Sequence, residues 1–264
     1  MKDLILIVIM IMVIFISYIF YINYYNSDIH VFSHRDNIFT ARDYKSLKIM
    51  TYNIHHGVGI DNQLNLERTA NIIKHSEAQI IGLNEVDNRM MRTNFQKQSQ
   101  ILADFLSMNY VYGPTLKYVF GSYGNAILTS FPIKEIKNHK LPVSIGDEPR
   151  ALLEAEVIIS SKKSLRILVT HLSFKDDARK KQLNWLNHYL EDINEPFVLM
   201  GDFNSELNFS NNMNFLLKTN KTYPTKAPEK KIDMFFSNCK IKQKSYTINT
   251  DASDHLPLLM EIIP

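Results

Sequence analysis

The sequence predicts an α/β fold of packed β-sheets with helices outside. Three observations carry that prediction. Apolar runs of strand length recur between residues 47 and 262, and some alternate with polar residues. Only three amphipathic helical stretches lie among them, the ratio expected of sheets flanked by helices. The composition, 45% hydrophobic and 22% charged in 264 residues, supplies apolar surface for one sizeable core. It excludes a disordered chain. A single Cys excludes a disulfide framework and a zinc–thiolate site. The net charge of +3 permits an anionic partner without demanding one.

Residues 4–22 read LILIVIMIMVIFISYIFYI. At about 1.5 Å per residue, a helix of this run reaches across a hydrocarbon core of roughly 30 Å. Tyr18, Tyr21, Tyr24 and Tyr25 crowd its C-terminal end, where an interfacial aromatic belt belongs. A cleaved signal peptide is the competing reading, but the run is long for one and no small-residue cleavage pattern follows. No other run is long enough to span a bilayer, which excludes a multi-span transporter. Residues 1–25 are therefore expected to be a signal anchor or transmembrane helix, 26–45 a polar tether and 46–264 one folded domain. Flanking charges do not settle orientation. An N-terminal anchor commonly leads its domain across, so a single-pass protein of the cell membrane with an extracytoplasmic domain is expected.

Within the domain, 47–53 (LKIMTYN) is a short apolar strand. Asn65 caps a helix with Leu66, Ala70 and Ile73 on one face. Residues 79–86 form a buried strand and 96–108 a second amphipathic helix. Strands follow at 126–129, 151–159 and 165–171. The second of these alternates through Leu153, Ala155, Val157 and Ile159, as a half-exposed antiparallel strand does. Residues 177–190 form a helix with Leu183, Leu186 and Leu190, and strands at 197–201, 232–237 and 256–262 complete the series. The aromatic stretch 110–120 reads as edge strand and core. There is no internal repeat.

Six segments share one pattern, an apolar strand followed by a burst of Asn, Asp, Glu or His: TYNIHHG (51–57), LNEVD (83–87), YGNAILTS (123–130), VTHLS (169–173), MGDFNSE (200–206) and SDHLPLL (253–259). Loops at strand ends are where a scaffold places its chemistry. Each segment alone has an ordinary structural reading: Asn53 as a turn residue, Glu85 as half of a salt bridge, His171 as a satisfied core histidine, Asp202 and Asn204 as an Asx-turn. Six together, rich in acids and imidazoles, point to one shared site.

The order TYN, LNEVD, THLS, GDFN, IDMFF and SDHLP resembles the endonuclease/exonuclease/phosphatase superfamily, which includes pancreatic-type deoxyribonuclease, abasic-site endonucleases, neutral sphingomyelinases and inositol polyphosphate 5-phosphatases. The resemblance covers about residues 47–263. It implies a four-layer α/β sandwich, two packed mixed sheets flanked by helices, here preceded by one transmembrane helix. It also implies hydrolysis of phosphodiester or phosphomonoester bonds by in-line attack of an activated water, with Mg²⁺, or alternatively Mn²⁺, as cofactor.

The matched positions place the metal on Asn53 and Glu85, an amide and a carboxylate suited to an open hard-cation site. Asp202 matches the residue that orients or deprotonates the water, and Asn204 the amide that contacts phosphate. His255 matches the general base or acid, with Asp254 as its neighbouring acid. His171 matches the second imidazole, and Asp233 the acid that holds it. Tyr123 and Asn125 match the phosphate pocket, where Arg150 could bind phosphate bidentately. His55 and His56 follow the metal Asn and read as loop histidines rather than ligands. Asn84 stands where many members have Gln, and Met234 where Tyr or His is frequent.

The expected activity is that of a membrane-anchored, metal-dependent phosphoesterase. Its substrate could be nucleic acid, a phospholipid headgroup or a small molecule. A nuclease and a sphingomyelinase-like phosphodiesterase are the alternatives, followed by a non-catalytic binding protein on the same fold. No obligate protein partner is evident.

Overall fold

The computed structural model describes residues 2–25, 30–32, 45–144, 146–206 and 216–263. Among these residues, a seven-stranded sheet runs in the order β1 (His30–Phe32), β4 (Asn109–Lys117), β5 (Ser122–Thr129), β3 (Ile80–Asn88), β2 (Leu47–Asn53), β13 (Leu258–Ile263), β12 (Lys240–Thr247). A six-stranded sheet runs β10 (Leu216–Thr219), β11 (Asp233–Ser237), β9 (Phe197–Asp202), β8 (Lys163–His171), β7 (Ala151–Ser160), β6 (Ile133–Lys140). Each sheet is mixed: β2 pairs β3 and β8 pairs β9 in parallel, and the other neighbours are antiparallel.

Strands buried on both faces need cover on both sides, and the apolar residues divide accordingly. Ile49, Ile80, Val111 and Met260 of one sheet meet Leu153, Ile167, Val169, Val198 and Phe235 of the other in a central core. Met50, Tyr52, Ile81 and Leu83 face outward beneath α2 (Leu66–Ser76) and α3 (Gln98–Leu106). Leu152, Leu168 and Leu199 face outward beneath Leu186 and Leu190 of α4 (Asp176–Glu191). The result is helix, sheet, sheet and helix, the layering the sequence implies. Asn65 caps α2 as expected, its side chain accepting from the Arg68 N–H at 3.2 Å.

Two expectations need correction. The β7 strand is antiparallel but not half-exposed, because α4 covers its second face. Glu154 is only 4% exposed there and takes hydrogen bonds from Arg166, His139 and Tyr189. The stretch 110–120 also divides. Tyr110 and Tyr112 are buried in β4, but Tyr118, Val119 and Phe120 form an exposed turn before β5. The edge strands β6 (IKEIKNHK) and β12 (KIKQKSYT) were not anticipated, because edge strands guarded by Lys lack a strong apolar signal.

Helix α1 (Lys2–Tyr25) carries the apolar run, and Leu4 to Tyr18 are exposed. The side chains of residues 19–25 in this helix lie outside the described residues. Among those that are described, no helix is long and apolar enough to cross a membrane. The region 26–45 likewise falls mostly outside them, with His30–Phe32 paired to β4 as an antiparallel edge strand.

Gly201 fixes how closely β8 and β9 approach. Its φ is +145°, and a Cβ there would stand 1.8 Å from the Thr170 carbonyl oxygen. The Gly201→Ala substitution must push Asp202 away from its neighbours, at a cost of about 3 kcal/mol or more. A thermal melt should show a large fall in Tm. An unchanged Tm would mean the strands can separate freely.

Candidate active site

Pairing register assembles the first half of the site. His171 ends β8, Asp202 ends β9 and Asp233 begins β11, and the ladder places His171 opposite Asp202 and Asp202 opposite Asp233. All three are buried. Strands β2 and β3 of the other sheet supply Asn53 and Glu85. A bulge interrupts the β3–β5 register between Leu83 and Val86, and Glu85 within it has φ +58°. Such a bulge re-aims a side chain. The two sheets meet at Asn53, whose Nδ2 donates to Glu85 Oε1 at 3.2 Å and to Asp202 Oδ2 at 3.1 Å.

His255 enters from the segment before β13. Its Nδ1 lies 2.8 Å from Asp233 Oδ2 and its Nε2 lies 3.6 Å from Asp202 Oδ2. The expectation that Asp233 holds His171 is therefore wrong. Asp202 stands between them in the ladder, so Asp233 reaches His255 instead. The Thr222 hydroxyl also donates to Asp233 Oδ2 at 2.5 Å. Ser253 ties the loop down, donating to the Asn53 carbonyl at 2.7 Å and accepting from the His255 N–H at 3.2 Å. Thr222 and Ser253 went unrecognised in the sequence, since each is an ordinary loop hydroxyl there. Among the described residues, no hydrogen bond joins the Asp254 side chain to the His255 ring, although its charge also favours the protonated ring. Asp254 sits at the rim with its Oδ1 4.0 Å from His55 Nδ1.

Asn204 also differs from expectation. Its backbone N–H donates to Asp202 Oδ1 at 2.8 Å, so the Asx-turn does form. Both amide protons are already engaged, with the Leu172 carbonyl and with His171 Nε2, each at 2.9 Å. Those bonds place the His171 proton on Nδ1, which is buried without a hydrogen-bond partner among the described residues. Asn125 is likewise occupied, accepting from Asn84 at 2.9 Å and donating to the Ala151 carbonyl at 3.2 Å. It supports the site from beneath instead of lining a phosphate pocket. Asn84, the donor to Asn125, is fully bonded itself. It also donates to the Thr170 carbonyl and accepts from the Asp202 N–H, both at 2.9 Å, so it ties β3 to β5, β8 and β9 across the two sheets.

Arg150 is 5% exposed, so it is no surface ion pair. Its Nη1 lies 3.3 Å from Glu148, yet Nε and Nη1 lack a properly directed hydrogen bond among the described residues. Tyr123 lies beside it, half-buried, with the Arg92 guanidinium 5.4 Å from its ring centre. Burial and the nearby Glu85 charge push the Tyr123 hydroxyl pKa up, so it stays a neutral donor.

Charge is distributed unevenly. Burial alone would raise the Glu85 carboxyl, but the His56 imidazole, the His171 ring and the Asn53 amide outweigh it and hold it below the usual range. Asp202 is pushed up, first by burial and then by Asp233. Burial opposes a charged His255, but Asp233 raises its pKa by proximity and hydrogen bonding. His171 is pushed well down by burial and then by Arg150. One imidazole is thus kept protonated and the other neutral.

Among the described residues, two groups of side chains have the spacing to hold a cation: His55, His56 and Glu85, and the buried Asp202, Asp233 and His255. The ionised Glu85 and the amide oxygen of Asn53 fit a divalent ion with open positions, since among the described residues Asn53 Oδ1 accepts only the His55 N–H, at 3.1 Å.

The sequence model of the family described as PGAP2IP, C-terminal nuclease-like domain, matches residues 44–226, more than half of the chain. The uncharacterized protein YbhP of Escherichia coli K12 is 26% identical, over 82% of this chain and 96% of its own. An endonuclease/exonuclease/phosphatase from Beutenbergia cavernae superposes with a TM-score of 0.67 at 20% identity, covering 83% of this chain and 72% of that one. TDP2 from Caenorhabditis elegans superposes with a TM-score of 0.62 at 17% identity, covering 83% and 74%. At these identities, the two solved structures establish a shared fold.

Proposed function

Because the chain belongs to the family of PGAP2IP C-terminal nuclease-like domains, we propose that it is a divalent-metal-dependent phosphoester hydrolase. One observation carries the reading. A buried carboxylate, Asp202, has its Oδ2 3.6 Å from His255 Nε2 and 3.5 Å from His171 Nε2, the first imidazole favoured in its protonated form and the second in its neutral form, and Arg150, buried near His171, has Nε and Nη1 without a directed hydrogen bond among the described residues. Asp202 Oδ2, steadied by Asn53, would orient and deprotonate the attacking water. His255, held by Asp233, would serve as proton donor. His171 would offer its Nδ1–H to a nonbridging oxygen, and the Arg150 guanidinium would bind the phosphate. When bound at Glu85 and Asn53, the cation, Mg²⁺ or Mn²⁺, would supply charge stabilisation at the phosphoryl oxygens. Release of nitrophenol from bis-p-nitrophenyl phosphate with either cation would support this. Inertness there and toward DNA, RNA and phospholipid vesicles would point to a binding protein on the same fold.

A membrane-borne substrate is the second reading, with α1 as a single-pass anchor and the domain outside the cytoplasm. His30 pairs with Tyr112 and Phe32 with Tyr110, so the chain enters β1 from the Lys117 end of β4. Only residues 26–29 separate α1 from β1, a reach of at most about 18 Å. That end of β4 leads into the turn carrying Tyr118 and Phe120, 51% and 77% exposed, beside Asn88 and Arg89 at the C-terminal end of β3. Each ring moved from water into lipid contributes about 1.5–3 kcal/mol. Replacing both Tyr118 and Phe120 by Ser should lower turnover of vesicle-borne substrate at least about tenfold and leave soluble nitrophenyl ester hydrolysis unchanged. Equal loss on both substrates would count against a lipid-facing role.

A further inference from the structure

We propose that His55 and His56 join Glu85 as metal ligands, forming a mixed nitrogen–oxygen centre that prefers a first-row transition cation to Mg²⁺. The inference rests on the reading above that Glu85 holds a divalent ion, and it adds two ligands and the class of ion.

The convergence of these groups is held against local strain. His55, His56 and Glu85 have φ of 44°, 43° and 58°, the left-handed region that non-glycine residues seldom occupy. Two consecutive histidines in that conformation persist only where their surroundings over-determine them. The surroundings do so. The His55 N–H donates to Asn53 Oδ1 at 3.1 Å, the Gly57 N–H to the Ile54 carbonyl at 2.8 Å, and Gln98 Nε2 to the His56 carbonyl at 2.6 Å. The two rings meet edge to face, 4.4 Å between centres. Each of the three side chains brings a ligand atom within 4.8 Å of the others.

The protonation pattern is that of ligands. His55 Nδ1 lies 3.2 Å from the Val58 carbonyl, which can only accept. Nδ1 therefore carries the proton and Nε2 presents a lone pair, as in metal-bound histidines anchored by a backbone carbonyl. Asp254, 4.0 Å from the same Nδ1, stands behind the ring and favours this arrangement. His56 Nδ1 is buried without a hydrogen-bond partner among the described residues. It lies 3.8 Å from Glu85 Oε2, too far for a hydrogen bond. The same separation suits two donors on one ion, since ligand bonds of about 2.1 Å place donor pairs roughly 3–4.2 Å apart. Neutral imidazole with carboxylate suits Mn²⁺, Fe²⁺, Co²⁺ or Zn²⁺, whereas Mg²⁺ keeps to oxygen.

The test uses the full chain in detergent, with thermal melts across Mn²⁺ and Mg²⁺ titrations and pulsed electron paramagnetic resonance of the Mn²⁺ form. Wild type should show imidazole ¹⁴N coupling, and stabilisation by Mn²⁺ at concentrations about tenfold or more below those needed for Mg²⁺. His55→Gln and His56→Gln should each weaken the coupling and erase most of the Mn²⁺ preference, while the Mg²⁺ response persists. His75→Gln, an exposed histidine on α2, should change nothing. Absence of nitrogen coupling in wild type, or equal response to the two ions, overturns the inference without needing a variant. Glu85→Gln separates the two levels. If it loses both ions while the histidine variants behave as wild type, only the transition-metal inference fails. If it binds both ions as wild type does, the metal site of the proposed function fails with it.

Discussion

Asp202→Asn should reduce phosphoester hydrolysis about 10³-fold while changing the protein's stability little. The substitution keeps the shape of the side chain and removes its charge. Asn cannot deprotonate a water, and its amide N–H groups would face Asn53 Nδ2 and His255 Nε2, 3.1 Å and 3.6 Å from the present Oδ2. The oxygen that accepts the Asn204 N–H can be retained, so the turn survives. Stability should change little, because relief of a buried charge that both burial and Asp233 oppose offsets the donor–donor contacts the amide makes with Asn53 and His255. Sites built for catalysis hold such costs, and relieving them trades activity for stability. Steady-state rates and melts on the same sample check both halves. Full activity in the variant would remove Asp202 from the chemistry. A collapse of Tm would mean its charge is structural.

Arg150→Ala should lower kcat/KM about 10²–10³-fold, with KM rising. The guanidinium is buried, yet two of its three nitrogens lack a directed partner. A buried donor left unsatisfied is costly, and a substrate phosphate would relieve that cost on binding. Arg150→Lys tests the geometry. It restores the charge without the planar fork and should recover only part of the loss. Arg150 also helps, after burial, to keep His171 neutral. An NMR titration should therefore find the His171 pKa higher in the Ala variant. Unaltered kinetics in Arg150→Ala would place phosphate elsewhere.

Fold class and family were legible in the sequence, for an identifiable reason. Buried strands are marked by uninterrupted apolar runs, and β2, β3, β8 and β9 each release their polar residue at the C-terminal end, beside the site. The same rule misleads for antiparallel strands. β5, β11 and β13 run the other way, so Tyr123, Asp233 and His255 sit at or before the strand start. Assigning Asp233 to His171 failed because partners were chosen without the strand order. Only the ladder β11-β9-β8 shows that Asp202 separates the two. Asn125 and Asn204 were legible as residues of the site. Their roles were not, because an amide reads the same whether it faces substrate or supports a neighbour. The exposed turn at Tyr118 and Phe120 was hidden for a similar reason. Aromatic residues look alike in sequence whether a strand buries them or a turn exposes them.

Chelation tests the central claim most directly. Full-length protein that hydrolyses bis-p-nitrophenyl phosphate should lose activity in EDTA and regain it when Mg²⁺ or Mn²⁺ is restored in excess, while Glu85→Gln should fail to recover at the same ion concentration. Hydrolysis that persists in EDTA, at the same rate in wild type and Glu85→Gln, would contradict the account.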